Sequence, residues 1–221
     1  MLVQQEAAAD LAPEAAADLA CLKGEGRPSV MVSSNLRRAI ATIGIGLWPR
    51  LKKHGDTQKI HLLSSLQEGS RNVDCVCLAG AGEVPPLKQV KKHLDTEAFQ
   101  HGAFFNTDFN YGNKAIFGSG LARLKQFAEF CMAPELEGHT IIAGGHSLWF
   151  RTFFQTFMPH AAEHEAKVSK MVNCGAVGFT LTQGEVDGKL LYRIDPKSIV
   201  PIFGPKSDKN PEGLSFEKKK K

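Results

Sequence analysis

No apolar run in this 221-residue sequence approaches the roughly 18 residues of a membrane-spanning helix, so none is expected. Basic residues are missing from the N-terminus, where Glu6, Asp10, Glu14 and Asp18 stand in place of the cations of a signal or transit peptide. Nothing directs export, and a cytoplasmic setting is expected. The five cysteines (Cys21, Cys75, Cys77, Cys131, Cys174) are odd in number and include no C-x-x-C pair. That argues against a zinc ribbon or a disulfide framework and for reduced thiols. A concentrated basic face is also lacking. Part of the formal charge of +4 sits in the terminal run Lys218 to Lys221, which leaves no footprint for nucleic acid. Finally, there is no histidine before His54.

What is present suffices for a core. At 43% hydrophobic, the chain is expected to form one domain over residues 1–203, followed by a disordered basic tail over 204–221. "EAAADLA" occurs at Glu6 to Ala12 and again at Glu14 to Ala20, around Pro13. It reads as helix with Leu11, Leu19 and Leu22 turned inward, Pro13 opening the second copy. "SVMVSS" reads as a short buried strand. In "SSNLRRAIATIGIGLWPRL" a Ser or Asn caps a helix whose apolar positions are Leu36, Ile40, Ile43 and Leu47. A strand is expected from about Lys59 to Leu63, and Cys75 and Cys77, alternating around Val76, read as strand residues. "PPLKQVKKHL" and "LARLKQFAEFCM" read as helices. Between them "HGAFFNTDFNYGNKAIFGSG" is a long connection whose aromatics argue that it packs over something. "TIIAGG" is a strand, Trp149, Phe150, Phe153, Phe154 and Phe157 form one apolar helical face, and "QGEVDGK" centres a hairpin.

Three places could carry chemistry. The helix cap puts Arg37 and Arg38 in the first turn, where cations oppose the helix dipole unless an anion is bound there. Gln67, Glu68, Arg71, Asn72 and Asp74 crowd one polar loop. His146 and Ser147 stand between a strand and a helix, where α/β folds place ligands. Two rival chemistries fit poorly. "GHSLW" has Trp149 where a G-x-S-x-G elbow needs glycine, and no Asp lies between Ser147 and the later histidines, His160 and His164. "HAAEH", His160 to His164, matches the H-x-x-E-H zinc pattern, but it starts directly after Pro159 and reads better as solvated helix-start residues.

The order of "SSNLRRAIAT", "LLSSLQEGSRNVD", "IIAGGHSLWFRTFFQTFMP" and "KMVNCGAVGFTL" resembles the histidine phosphatase superfamily, the phosphoglycerate-mutase-like fold, over most of residues 28 to 182. The resemblance implies an α/β three-layer sandwich with a mostly parallel sheet flanked by helices. It also implies that Arg38 of S-x-L-x-R-A binds substrate phosphate, that Glu68 is the proton donor, and that His146 is the second catalytic histidine, a cation that binds phosphate together with Ser147. The ligand implied is a phosphorylated small molecule or phosphomonoester, with no metal and no cofactor. The family's R-H-G motif, which supplies the nucleophilic histidine and the first, central strand, has no counterpart here. A chain lacking that strand is expected to be less stable than its relatives. Three classes follow: a phosphomonoester hydrolase or mutase whose nucleophile lies upstream, a phosphate-binding module without turnover, and a scaffold. Retention of Arg38, Glu68 and His146 together argues against the scaffold.

Overall fold

The computed structural model describes residues 13–55, 57–87, 103–115 and 120–204, together with Phe216. These residues fall into two compact units, one of the described residues between 20 and 146 and one of residues 13–19 with 147–204 and Phe216. The helix expected in "PPLKQVKKHL", the first "EAAADLA" copy and nearly all of the tail lie outside the described residues.

The first unit is built on a four-stranded, all-parallel sheet flanked by helices, an α/β fold. Its strands are β1 (Ser29–Ser34), β2 (Ile60–Leu63), β3 (Phe105–Asn106) and β4 (Thr140–Gly144), in the order β3-β2-β1-β4. Met31 registers with Ile60 on one side and with Ile142 on the other, so β1 is internal. Its four residues Met31 to Ser34 are all buried, as a strand covered on both faces requires. Helices α2 (Arg37–Gly46) and α3 (Trp48–His54) follow β1. The expected stripe Leu36, Ile40, Ile43 and Leu47 is buried throughout; Ile40, Ile43 and Leu47 join Met31, Leu51, Ile60, Leu62, Phe105 and Ile142 in one core, and Leu36 packs in a second. Gly144 lets α2 approach β4, since a Cβ there would stand 3.1 Å from Ile43.

The cap of α2 differs from expectation. Leu36 is its N-cap, without a side-chain cap bond. Ser34 and Asn35 are committed elsewhere: the Ser34 hydroxyl accepts the Leu36 N–H at 3.3 Å and faces His146, and the Asn35 amide points into a buried network. Cys75 and Cys77 are not strand residues. Val73–Cys75 is a single 3-10 turn, and the stretch after it belongs to no strand. The alternation is real, because Cys75, Cys77 and Ala79 are buried against Leu36 while Val76 and Leu78 are exposed. Side-chain amides replace the ladder here: Asn113 accepts from the Cys77 N–H at 2.6 Å and donates to the Cys77 carbonyl at 2.8 Å.

Gly55, at the end of α3, is required by space rather than by backbone angle. A Cβ there would lie 2.2 Å from the Phe104 ring and 2.5 Å from the Leu51 carbonyl oxygen, and Phe104 meets Trp48 edge to face at 5.8 Å. Gly55→Ala is expected to destabilise the protein by about 1–3 kcal/mol, as overpacking does. Urea unfolding followed by tryptophan fluorescence would show it, and an unchanged midpoint would refute the close approach.

The second unit has its own core. Helix α1 (Pro13–Leu22) is described from Pro13 onward and contributes its residues 13–19 to this unit, where Leu19 is buried. Helix α4 (Gly120–Cys131) belongs to the first unit and α5 (Ser147–Phe157) to the second. On α5, Trp149 stacks on Phe153 at 5.1 Å, and Phe153, Phe154 and Phe157 are buried against Phe179 and Tyr192. The expected hairpin is β6 (Leu181–Val186) with β7 (Lys189–Ile194), turned by Asp187 and Gly188, both at positive φ. The strands β5 (Ala176–Gly178) and β8 (Val200–Phe203) pair antiparallel, and Phe216 is buried and bridges Met171. In "HAAEH", His164 caps the short helix α6 (Glu165–Val168) by accepting the Ala166 N–H on Nδ1 at 3.1 Å. Among the described residues no three His, Cys, Asp or Glu groups gather to hold a metal ion.

Candidate functional site

The carboxyl ends of β1, β2 and β4 bring Ser34, Ser64 and His146 to one edge of the sheet, the position at which parallel α/β folds bind ligands. His146 follows β4 and is 5% exposed. Its Nδ1 accepts a hydrogen bond from Arg38 Nε at 3.2 Å, and its Nε2 lies 2.9 Å from the Ser34 hydroxyl. Because Nδ1 accepts, the ring hydrogen is on Nε2 and is donated to Ser34. Two expected site residues, Arg38 and His146, are thus in direct contact, 108 positions apart in the chain.

Arg38 is anchored on its other side by the polar loop. Its Nη1 donates to the Asp74 carbonyl and lies 3.6 Å from the Asp74 carboxylate, and its Nη2 lies 3.5 Å from the Cys75 sulfur. The Arg38 side chain remains 43% exposed. Glu68 is buried and accepts the Gly69 N–H at 2.7 Å. Ser147 is half-buried, opens α5, and belongs to the second unit.

Two further cations complete the cluster. Lys114 Nζ donates to the Glu68 carbonyl at 2.6 Å and to the Cys75 carbonyl at 3.1 Å. Arg123 of α4 donates to the Gln67 carbonyl. Both are held below their ordinary pKa first by burial; Arg38 and Arg123 push Lys114 further down, while the Glu68 charge opposes the shift at both. The same field acts on His146. Burial lowers its pKa to about 3, reinforced by Arg38, Lys114 and Arg123, with Asp74 opposing. The imidazole is therefore neutral at pH 7, where the resemblance implies a cation. It sits dry beside three positive charges, against which Asp74 is the opposing negative charge.

A buried amide network fixes the loop that carries Lys114. The Asn35 side chain donates to Asn110 Oδ1 at 2.9 Å and to the Gly112 carbonyl at 2.8 Å, and the Ser64 hydroxyl takes the Tyr111 N–H at 2.9 Å. Gln67 accepts the Lys114 N–H at 2.7 Å and donates to Asn113 at 2.9 Å. Sequence reasoning missed Lys114, Arg123 and Ser34. Arg123 carries a usable signal, since it adjoins the buried stripe Leu124, Phe127 and Ala128 of an otherwise solvated helix. Lys114 carries none, because long-range amide contacts place it.

In class, the first unit is a parallel α/β fold with a cationic cluster at the carboxyl edge of its sheet. No family model, curated protein or solved structure matches the chain. No helix among the described residues is long and apolar enough to cross a membrane.

Proposed function

We propose that the first unit carries a phosphoryl-binding site of the histidine phosphatase type, which takes a phosphomonoester by its phosphate without full turnover by this chain. What supports the reading most is the convergence of Arg38, Lys114 and Arg123 on the neutral His146, with Glu68 the carboxylate among them. Desolvated cations that repel one another are stabilised by a dianion, and the half-exposed Arg38 guanidinium, once it exchanges its Asp74 contact, offers bidentate hydrogen bonds to phosphate oxygens. Glu68 offsets Arg123, and His146 orients Arg38 and gains a proton only once negative charge enters. Covalent hydrolysis needs a nucleophile, and among the described residues the named partners of His146 include no second imidazole. A binding module without turnover is the alternative to the hydrolase. The five unpaired thiols fit a cytoplasmic setting.

Calorimetry of the folded protein with phosphate or vanadate is expected to show binding that weakens at least about tenfold in Arg38→Ala and is not restored in Arg38→Lys, which lacks the planar fork. Absence of binding would refute the site. p-Nitrophenyl phosphate is expected to be hydrolysed at background rate, with no acid-labile phosphohistidine. Turnover that disappears in His146→Ala would show instead that the chain is a complete enzyme.

A further inference from the structure

The cationic cluster is bordered by apolar side chains that the protein leaves in water. Val73 is 89% exposed, Val76 47%, Leu78 59% and Tyr111 59%. Three of the four come from the loop that holds Arg38: the carbonyl and carboxylate of Asp74, between Val73 and Val76, both face its guanidinium, and the Cys75 carbonyl takes the Lys114 ammonium. The fourth runs alongside. Asn113, two residues after Tyr111, brackets the Cys77 backbone from both sides, and a Cβ on Gly112 would lie 3.4 Å from the Ala81 nitrogen. The alternation that buries Cys75, Cys77 and Ala79 turns Val76 and Leu78 outward, so these residues are fixed by the packing of their neighbours.

Packing alone would be served as well by Ser or Thr at the outward positions, because an exposed loop gains nothing from Val or Leu in water. A mixed surface of this kind, cationic at one end and apolar at the other, fits a molecule built the same way. From this geometry we infer that the preferred ligand is a phosphomonoester of an apolar alcohol, an aryl phosphate above all, whose ring lies on Val73, Val76, Leu78 and Tyr111 while its phosphate meets Arg38 and Lys114. The inference rests on the phosphoryl-binding reading and adds the chemistry of the leaving group. Charge complementarity chooses this occupant over a second copy of the chain, which would bring the same cations against one another. Tyr111 supplies a ring face for stacking.

Calorimetry with inorganic phosphate, glycerol 2-phosphate and phenyl phosphate tests it, on the full chain and on the variant Val73→Ser, Val76→Ser, Leu78→Ser. All three substitutions are at solvated positions outside the core. Phenyl phosphate is expected to bind about tenfold more tightly than glycerol 2-phosphate, as burial of one ring face allows. The gap should shrink in the variant, which keeps Tyr111, while affinity for inorganic phosphate stays the same. Equal affinities for the two esters, or a gap unchanged in the variant, would overturn the apolar rim and leave the phosphate site standing. Failure to bind inorganic phosphate would overturn the site itself. A phosphotyrosyl tripeptide separates the sources of the aryl group: tighter binding than phenyl phosphate assigns it to a peptide side chain, weaker binding to a free small molecule, and either ranking upholds the rim.

Discussion

Acidification is expected to destabilise the protein steeply, and His146→Gln to remove about one proton from that dependence. The folded-state pKa of His146 is lowered to about 3 from an ordinary 6.5, because its burial excludes water and three cations face it. Below pH 6.5 the unfolded chain protonates this ring and the folded chain does not. The stabilisation is therefore complete above the unfolded value and is lost as pH falls toward 3. One proton corresponds to about 1.4 kcal/mol per pH unit. The loss across the window is on the order of 4 kcal/mol. Carboxylates titrate in the same range, so the informative quantity is the difference in slope between the protein and the variant in urea unfolding. Gln keeps an amide donor for Ser34 and an acceptor for Arg38, and does not titrate. Parallel slopes, or a His146 ring resonance titrating near pH 6.5, would contradict the dry, cation-faced environment. Phosphate should move that resonance's midpoint upward, because a bound dianion reverses the local field.

Removing the Arg50 side chain is expected to cost about 3–5 kcal/mol, through the lost hydrogen-bond donors and a cavity together. Arg50 of α3 is 2% exposed, and its three acceptors are neutral: the Cys21 carbonyl at 3.0 Å, the Ser29 carbonyl at 3.0 Å and Gln58 Oε1 at 2.9 Å. Burial lowers its pKa, with Cys21 opposing. The guanidinium fork thus ties the end of α1 and the start of β1 to α3. Arg50→Met fills much of the volume and should still lose much of the stability, because the Ser29 carbonyl and Gln58 Oε1 lose the fork's donors while the Cys21 carbonyl keeps only the Gly24 N–H at 3.0 Å. Arg50→Lys offers a point charge where a planar fork is needed and should recover only part. Thermal unfolding of the three variants gives the ranking. A loss under 1 kcal/mol in Arg50→Met, roughly the scale of a surface change, would show that the carbonyls find water.

The sequence made the frame of the first unit legible and its electrostatics only in part. β1, β2, β4, α2 and α4 could be read because each carries an uninterrupted apolar period of its own. "VDCVCL" has a strand's alternation without a strand, because its backbone partners are the amide of Asn113 and the core cluster rather than a neighbouring ladder. Such contacts leave no periodic trace. Arg38 and Glu68 stood out through local motif and resemblance, whereas Lys114 and Arg123 are brought to the site by a loop and a helix whose sequences announce only packing. The depressed pKa of His146 in the ligand-free protein was not legible for the same reason: it depends on burial and three cations, two of which were not recognised.

The Arg38 to Asp74 contact, 3.6 Å between charged groups, means that the guanidinium has an intramolecular occupant before any ligand arrives. Binding is then an exchange. Its apparent affinity is the intrinsic affinity scaled by the fraction of molecules in which Asp74 has let go. With the Asp74 side chain 69% exposed, that fraction is open to change by ionic strength. A ligand that reaches Lys114 as well can displace the carboxylate, and one that touches Arg38 alone competes with it on equal terms. The resident carboxylate therefore sorts anions by reach as well as by charge.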